Sequence, residues 1–134
     1  AQVLKMNVHP ATRVLALAAI VLCARTAGSE SQADGVASEW RIVNAEPIEV
    51  AWRVRSLQFF GDDDCARPLH AEPNHTGTAF GSAAVDMTGA DYAFHLRSPR
   101  GWESEDACAA GLCHLGFRWN AGGANVRCVL LQQG

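Results

Sequence analysis

The chain has 134 residues, enough for one domain rather than two. Charged residues make up 19% of it, and 11 Lys and Arg stand against 14 Asp and Glu, which gives a formal net charge of −3. The basic residues form no run, so the sequence lacks the basic stripe with which proteins neutralise nucleic-acid phosphates. Nucleic acid is therefore not an expected partner.

The N-terminal part has the pattern of a secretory signal peptide. A polar segment ending in Arg13 precedes an apolar run from Val14 to Ala24, and small residues follow. The run is shorter than the roughly 20 residues that a membrane-spanning helix needs. We therefore predict a helical signal peptide within residues 1–28, cleaved after Ala24 or Gly28, and a secreted or secretory-lumen product without a transmembrane span. A buried core helix and a signal anchor are the alternatives.

The cysteines predict two disulfides in the processed chain. Cys23 would leave with the signal peptide, and the four cysteines that remain are an even number in a small secreted domain. Three pairings are formally open. We favour Cys108 with Cys113, which enclose a short flexible loop, and Cys65 with Cys128, which would close a long one.

Two metal sites are weighed and neither is expected. Cys108, Cys113 and His114 offer soft ligands, but no second Cys/His cluster stands at zinc-finger spacing. The acidic triplet 62–64 lacks the alternating ligands, the glycine and the distal glutamate of an EF-hand loop. We expect no cofactor, with calcium at this turn as the alternative.

The domain proper is expected over residues 40–134, after a polar, disordered linker over 29–39. Residues 40–44 alternate apolar and polar side chains and predict a first strand. Residues 52–60 predict a second strand, in which Trp52 and Val54 have the opposite parity to Leu57 and Phe59. A β-bulge near residues 55–56 would place all four side chains on one face.

The middle of the chain is rich in turn-forming residues. Residues 68–83 are predicted to form a loop, and within it the sequon at Asn74 predicts an exposed glycosylation site. Residues 84–96 predict a turn and a short strand, and residues 103–106 an acidic exposed loop.

The last third predicts two further strands. Residues 115–119 alternate cleanly, residues 120–124 form a turn, and residues 126–131 are apolar on both faces, as in a strand covered on both sides. Several short strands separated by Gly and Pro turns indicate an all-β sandwich or barrel. The aromatic side chains on these strand faces are expected in the core: Trp40, Trp52, Phe59, Phe117 and Trp119.

Two segments resemble a known family. The stretch WRVRSLQFFGDDDC (52–65) resembles the tryptophan-led early strand, acidic turn and cysteine of discoidin-like domains, the coagulation-factor type C family, in the divergent form of algae and other protists. The stretch CHLGFRWNAGGANVRCVLLQ (113–132) resembles the late segment of that family. The resemblance spans about Trp40 to Gln133 and implies a galactose-binding-like jelly-roll β-sandwich.

The chain departs from the family pattern in two places. Residues 84–92 keep only the aspartate, Asp86, and a nearby aromatic residue, Tyr92, of the family's middle motif. The sequence also stops just after the strand 126–131, where family members add strands. We therefore expect a sandwich truncated at the C-terminus, with an open edge at its last strand.

The resemblance implies a non-catalytic binding module, active in carbohydrate binding or cell adhesion. Its partner would be a glycan, or a cell-surface or extracellular protein, held by loops at one rim of the sandwich. Aromatic rings stack on sugar rings while polar side chains bind the hydroxyls. The candidate ligand-binding residues of these types are Asp91, Tyr92, His95, Arg97, Arg100 and Trp102.

No enzymatic activity is expected. None of the five histidines stands in a metalloprotease spacing, and no G-x-S-x-G motif is present. The alternatives to glycan binding are a structural or assembly subunit that docks on partner proteins, and an accessory domain of a larger extracellular enzyme or receptor.

Overall fold

The computed structural model describes residues 3–7, 14–17, 20–25, 36–71, 77–84, 89–95, 100–120 and 122–134. These residues form an all-β structure of antiparallel sheets with one short α-helix. The predicted all-β class is therefore confirmed. No helix among the described residues has the length and apolar character that a membrane crossing requires.

The strands belong to two large sheets and a small one. In chain order they are β1 (Val3–Asn7), β2 (Val14–Leu17), β3 (Ile20–Arg25), β4 (Val36–Ala37), β5 (Glu39–Asn44), β6 (Ile48–Phe60), β7 (Gly77–Gly81), β8 (Trp102–Cys108), β9 (His114–Trp119), β10 (Ala124–Asn125) and β11 (Cys128–Gln133). One sheet has the strand order β1-β11-β6-β8 and the other β2-β3-β5-β9-β7, while β4 pairs with β10. The α-helix α1 spans Ala90–Phe94, and a 3-10 turn spans Leu69–Ala71.

The predicted bulge lies in the long central strand β6. Gln132 of β11 pairs with Ser56 and Gln133 with Val54, so that Arg55 is the extra residue on β6. The strand therefore changes parity at this point. The side chains that the bulge brings onto the core face are all buried: Trp52, Val54, Leu57 and Phe59.

The two large sheets bury one common core between them. Phe59 of β6 contacts Trp119 of β9, with ring centroids 6.0 Å apart, and Trp119 packs against Phe117 at 4.9 Å. At the other side, a Cβ at Gly81 of β7 would come within 3.1 Å of the Trp102 indole nitrogen of β8. All five aromatic residues predicted in the core are buried.

The N-terminal segment does not form the predicted helix. Its described residues are the strands β1, β2 and β3, where β1 pairs with β11 and β3 pairs with β5. The predicted open edge at the last strand is also wrong for the described residues, because β1 covers β11 over Cys128–Gln132. The backbone N–H and C=O groups of β1 and β3 are thereby paired with β11 and β5. Cleavage of a signal peptide stays a prediction.

Three further segments differ from the prediction. The strand β7 lies within the predicted loop 68–83, and the predicted acidic loop 103–106 belongs to β8. The segment predicted as a short strand forms α1 instead. In each case a neighbouring strand or a buried surface from elsewhere in the chain determines the structure, and the local sequence pattern gives no information about that neighbour. Residues 36–39 of the predicted linker form β4 and the start of β5.

The structure contains the two favoured disulfides. Cys65 is bonded to Cys128 across 63 residues, which ties the acidic turn to the start of β11. Closing a loop of that length stabilises the fold by about 4 kcal/mol in the chain-entropy account. Cys108 is bonded to Cys113 and closes the short loop between β8 and β9.

A buried amide organises that short loop. Asn44, the fully buried last residue of β5, donates from Nδ2 to the carbonyl oxygens of Ala109 at 2.8 Å and Glu46 at 3.0 Å. Its Oδ1 accepts the backbone N–H of Cys113 at 2.9 Å, and its own carbonyl accepts the N–H of Gly111 at 2.8 Å. One side chain thus satisfies the backbone groups that the turn leaves without sheet partners.

Replacing this amide is expected to destabilise the whole domain. In Asn44→Ala the Cys113 N–H and the Ala109 carbonyl lose their buried partner, so the free energy of unfolding should fall by about 2–4 kcal/mol. Urea unfolding without reductant measures this fall. The control Asn125→Ala removes a buried oxygen that has no hydrogen-bond partner among the described residues, and should cost under about 1 kcal/mol. Equal losses in the two variants would contradict this role for Asn44.

Candidate functional site

The helix α1 carries two of the six predicted ligand-binding residues, Asp91 and Tyr92. It begins after Gly89, whose backbone is extended, and its first turn is closed by the Tyr92 N–H bonding to the Gly89 carbonyl at 3.1 Å. Ala93 and Phe94 are buried, whereas Asp91 is exposed and Tyr92 is partly exposed. The helix therefore has one face toward the core and one toward solvent.

Phe94 anchors α1 to both sheets. Its ring lies 6.0 Å from that of Phe59 in β6 and 5.4 Å from that of Phe117 in β9. It also meets the His70 ring edge-on at 5.5 Å. Since a five-residue helix is not stable by itself, this packing determines its position.

Four of the predicted ligand-binding residues lie together around α1. The Arg100 guanidinium carbon lies 5.7 Å from the centroid of the Tyr92 ring, within the range of a cation–π contact. Asp91 precedes Tyr92 in the helix, and His95 is its C-terminal capping residue; the side chains of Asp91, His95 and Arg100 are exposed. We call Asp91, Tyr92, His95 and Arg100 the α1 cluster. It combines the aromatic ring of Tyr92 with a carboxylate acceptor, an imidazole and the planar set of N–H donors of a guanidinium group.

Trp102 does not belong to this cluster. It is the first residue of β8, its relative exposure is 0%, and its ring meets that of Trp52 edge-on at 5.6 Å. An indole in that position has no face toward solvent on which a sugar could stack. The burial of Trp102 does not fit its predicted role as a ligand-binding residue, because pairing of β8 with β6 turns this side chain into the core.

Two predicted site residues lie outside the described residues. They are Arg97 in the ligand-binding set and Asn74 in the glycosylation sequon, and Asp86 of the family motif lies there as well. Their predicted roles therefore stay predictions.

His70 is a site feature that the sequence pattern does not reveal. Its ring packs between Phe94, at 5.5 Å, and Phe117, at 6.0 Å, and both ring nitrogens are buried without a hydrogen-bond partner of normal geometry among the described residues. Burial lowers the pKa of His70; the backbone of Phe94 lies close enough to oppose this effect, and the nearby charge of His95 adds to it. His70 lies in a stretch without strand or helix periodicity, so the sequence does not indicate that its ring packs against Phe94 of α1.

The acidic turn binds its own backbone and a neighbouring arginine. The Asp62 carboxylate accepts the N–H groups of Ala66 at 3.0 Å and Arg67 at 3.0 Å, and the Arg67 bond is the main reason why its pKa is lowered. Asp63 forms an ion pair with Arg127 at 3.1 Å. Two of the three carboxylates weighed as calcium ligands are therefore engaged within the turn, and no group of three metal-binding side chains occurs among the described residues.

Comparisons with protein-family models, with curated proteins and with solved structures find no match for this chain. The resemblance to discoidin-like domains therefore stays a prediction. The α1 cluster and the aromatic core residues that anchor it are the features of the described residues that bear on function.

Protonation of His70 should weaken the fold in acid. Because its folded pKa lies below the usual value of about 6.5, the unfolded chain binds more protons as the pH falls through that value. The free energy of unfolding should therefore be independent of His70 above about pH 7 and should fall as the pH drops below about 6.5.

Urea unfolding between pH 5 and 8 tests this sign. His70→Phe keeps an aromatic ring between Phe94 and Phe117 and should flatten the fall in acid. The exposed His95→Gln should retain most of it, because burial rather than the His95 charge is the larger cause of the lowered pKa. An unchanged pH profile in His70→Phe would contradict the assignment.

Proposed function

We propose that this chain is a non-catalytic binding module of the secretory pathway or cell surface, built on a discoidin-like jelly-roll sandwich, and that the α1 cluster recognises a glycan. The observation that carries the proposal is the partly exposed Tyr92 with the Arg100 guanidinium over its ring, together with the exposed Asp91 and His95 of the same helix and its C-cap. Trp102, the other large aromatic residue of the predicted ligand-binding set, is buried.

The chemistry of the cluster suits a sugar. The C–H face of a pyranose packs on an aromatic ring, while carboxylate, imidazole and guanidinium groups bind the vicinal hydroxyls. The cation–π contact orders the Tyr92 ring and the Arg100 fork before a ligand arrives, which reduces the entropy lost on binding. The anchoring of Phe94 in the core holds the cluster on a rigid base.

The disulfides support the proposed compartment. Both bonds are of the kind that forms and persists in oxidising compartments, and Cys128 and Cys108 are buried, as structural cysteines are. The signal-peptide pattern of residues 1–28 points to the same compartment.

A second candidate function is docking on a partner protein. Val50 of β6 and Leu112 of the Cys108–Cys113 loop are the two exposed large hydrophobic residues of the described structure, at 71% and 69%. Val50 lies in the part of β6 that pairs with the end of β8, since Ile48 pairs with Cys108 and Ala51 with Ala107, and Leu112 lies in the loop that follows β8. Exposed apolar residues at one place favour a protein contact over a sugar contact.

Replacing Tyr92 tests the glycan proposal. A glycan array on the disulfide-bonded protein would identify a sugar, and titration calorimetry would give its affinity. Tyr92→Ala should weaken binding by about tenfold, which corresponds to about 1.4 kcal/mol, because it removes the stacking surface.

Two controls make the result specific. Tyr92→Phe keeps the ring and should bind within about threefold of the native protein, and the thermal midpoint should be unchanged in both variants because Tyr92 is partly exposed. Full sugar affinity in Tyr92→Ala would remove the α1 cluster from the site. Absence of any sugar on the array, with a protein partner lost on Leu112→Asp, would favour docking instead.

A further inference from the structure

Strands β8 and β11, the two neighbours of β6 in the β1-β11-β6-β8 sheet, differ in their charge. The edge strand β8 carries three acidic residues, Glu103, Glu105 and Asp106. Charged side chains on an edge strand oppose the addition of a further strand. The strand β11, Cys-Val-Leu-Leu-Gln-Gln, carries no charged residue and no proline. Its composition is that of an inner strand, which has a neighbour on both sides.

Among the described residues, β1 supplies the second neighbour of β11. The register runs from Val3 opposite Gln132 to Asn7 opposite Cys128, so β1 covers β11 along nearly its whole length. The same β1 belongs to residues 1–28, which the sequence predicts to be cleaved. Cleavage would leave β11 with unpaired N–H and C=O groups along an uncharged edge.

We propose that β11 is a strand-pairing surface. Within one chain β1 pairs with it, and once residues 1–28 are removed, β11 of a second copy takes the place of β1. This inference rests on the secretory processing in the proposed function, but not on glycan binding. The partner is an antiparallel copy of the same strand, so that two three-stranded remnants of β11, β6 and β8 join into one continuous sheet.

The faces of β11 determine the register of such a pair. Val129 and Leu131 are buried on the core face, and Leu130, which lies between them, is partly exposed. A twofold axis perpendicular to the sheet keeps each face on its own side, so only residues of equal parity can lie opposite each other. A register centred on Leu130 meets this condition. It places Leu130 opposite its own copy and Val129 opposite Leu131.

This register brings no charges together and needs no rearrangement of the core. The next pair outward is Cys128 with Gln132, and Cys128 is already held in its disulfide with Cys65. Residues 128–132 of the strand are compatible with a neighbouring strand, as the ladder with β1 shows. In the proposed pair, the side chains of β11 that face the core stay the same.

The experiment starts from the full chain and removes the N-terminal strands after folding. A protease site is inserted between β3 and β4, within residues 26–35, and the folded protein is cut. Size-exclusion chromatography with light scattering gives the mass, and mass spectrometry shows which fragments remain. The uncut protein should be a monomer. The cut protein should lose the N-terminal fragment and double the mass of the remaining domain.

Two variants locate the contact. Leu130→Lys places two ammonium groups opposite each other at the twofold axis, and the cut variant should stay monomeric. Ala107→Lys puts the same charge at an exposed position of the opposite edge strand β8 and should dimerise like the native sequence.

Four results would overturn the proposal: a cut native protein that stays monomeric after losing the fragment, a fragment that stays bound after cutting, loss of the β-sheet circular dichroism signal on release of the fragment, or a dimer that survives Leu130→Lys. Sugar binding is measured separately on the same samples. A failure of dimerisation and a failure of glycan recognition are thus distinguishable.

Discussion

The β-bulge at Arg55 of β6 determines which side chains of this strand face the second sheet. If residues 52–59 formed a regular strand with Arg55 in line, Leu57 and Phe59 would point away from the face that carries Trp52 and Val54. Because the bulge takes Arg55 out of the alternation, all four side chains lie in one core, and Phe59 can contact both Trp119 of the facing sheet and Phe94 of α1. The position of the α1 cluster therefore depends on this bulge: the helix is too short to hold itself, and Phe59 forms part of the surface to which it is anchored.

The same strand connects the site to the edges of the sheet. β6 pairs with β8 on one side and with β11 on the other, and the bulge lies opposite the Gln132–Gln133 step of β11. The disulfides and the buried Asn44 amide act on the segments around this sheet: one bond fixes the acidic turn to β11, and the amide closes the loop after β8. The β11-β6-β8 unit therefore carries the covalent and hydrogen-bonded turns, while β1 and the pair β2–β3 are the outer strands of the two large sheets.

Local pattern was sufficient where side-chain alternation and cysteine spacing carry the information. The all-β class, the bulge, the core aromatic residues and both disulfides follow from parity, hydrophobicity and loop closure, and they are present in the structure. Local pattern was insufficient where a residue's position depends on a strand or helix that is distant in the sequence. Trp102 follows a Pro-Arg-Gly turn and has the sequence surroundings of an exposed residue, yet pairing of β8 with β6 turns its indole into the core. His70 and Phe94 meet only because β7, β9 and α1 converge, and no spacing in the sequence encodes that contact.

Removing the bulge is the most direct test of this account. Deletion of Arg55 removes the residue that the bulge leaves out of the ladder, so the four core side chains of residues 52–59 fall on one face of a regular strand and the pairing with β11 is kept. Deletion of Arg53 leaves the bulge in place and moves Trp52 to the face opposite Val54. We therefore expect the Arg55 deletion to keep its cooperative urea transition and its near-ultraviolet circular dichroism signal, and the Arg53 deletion to lose both. An Arg55 deletion without a cooperative transition, or an Arg53 deletion that unfolds cooperatively at the native urea midpoint, would contradict the claim that the bulge aligns the core.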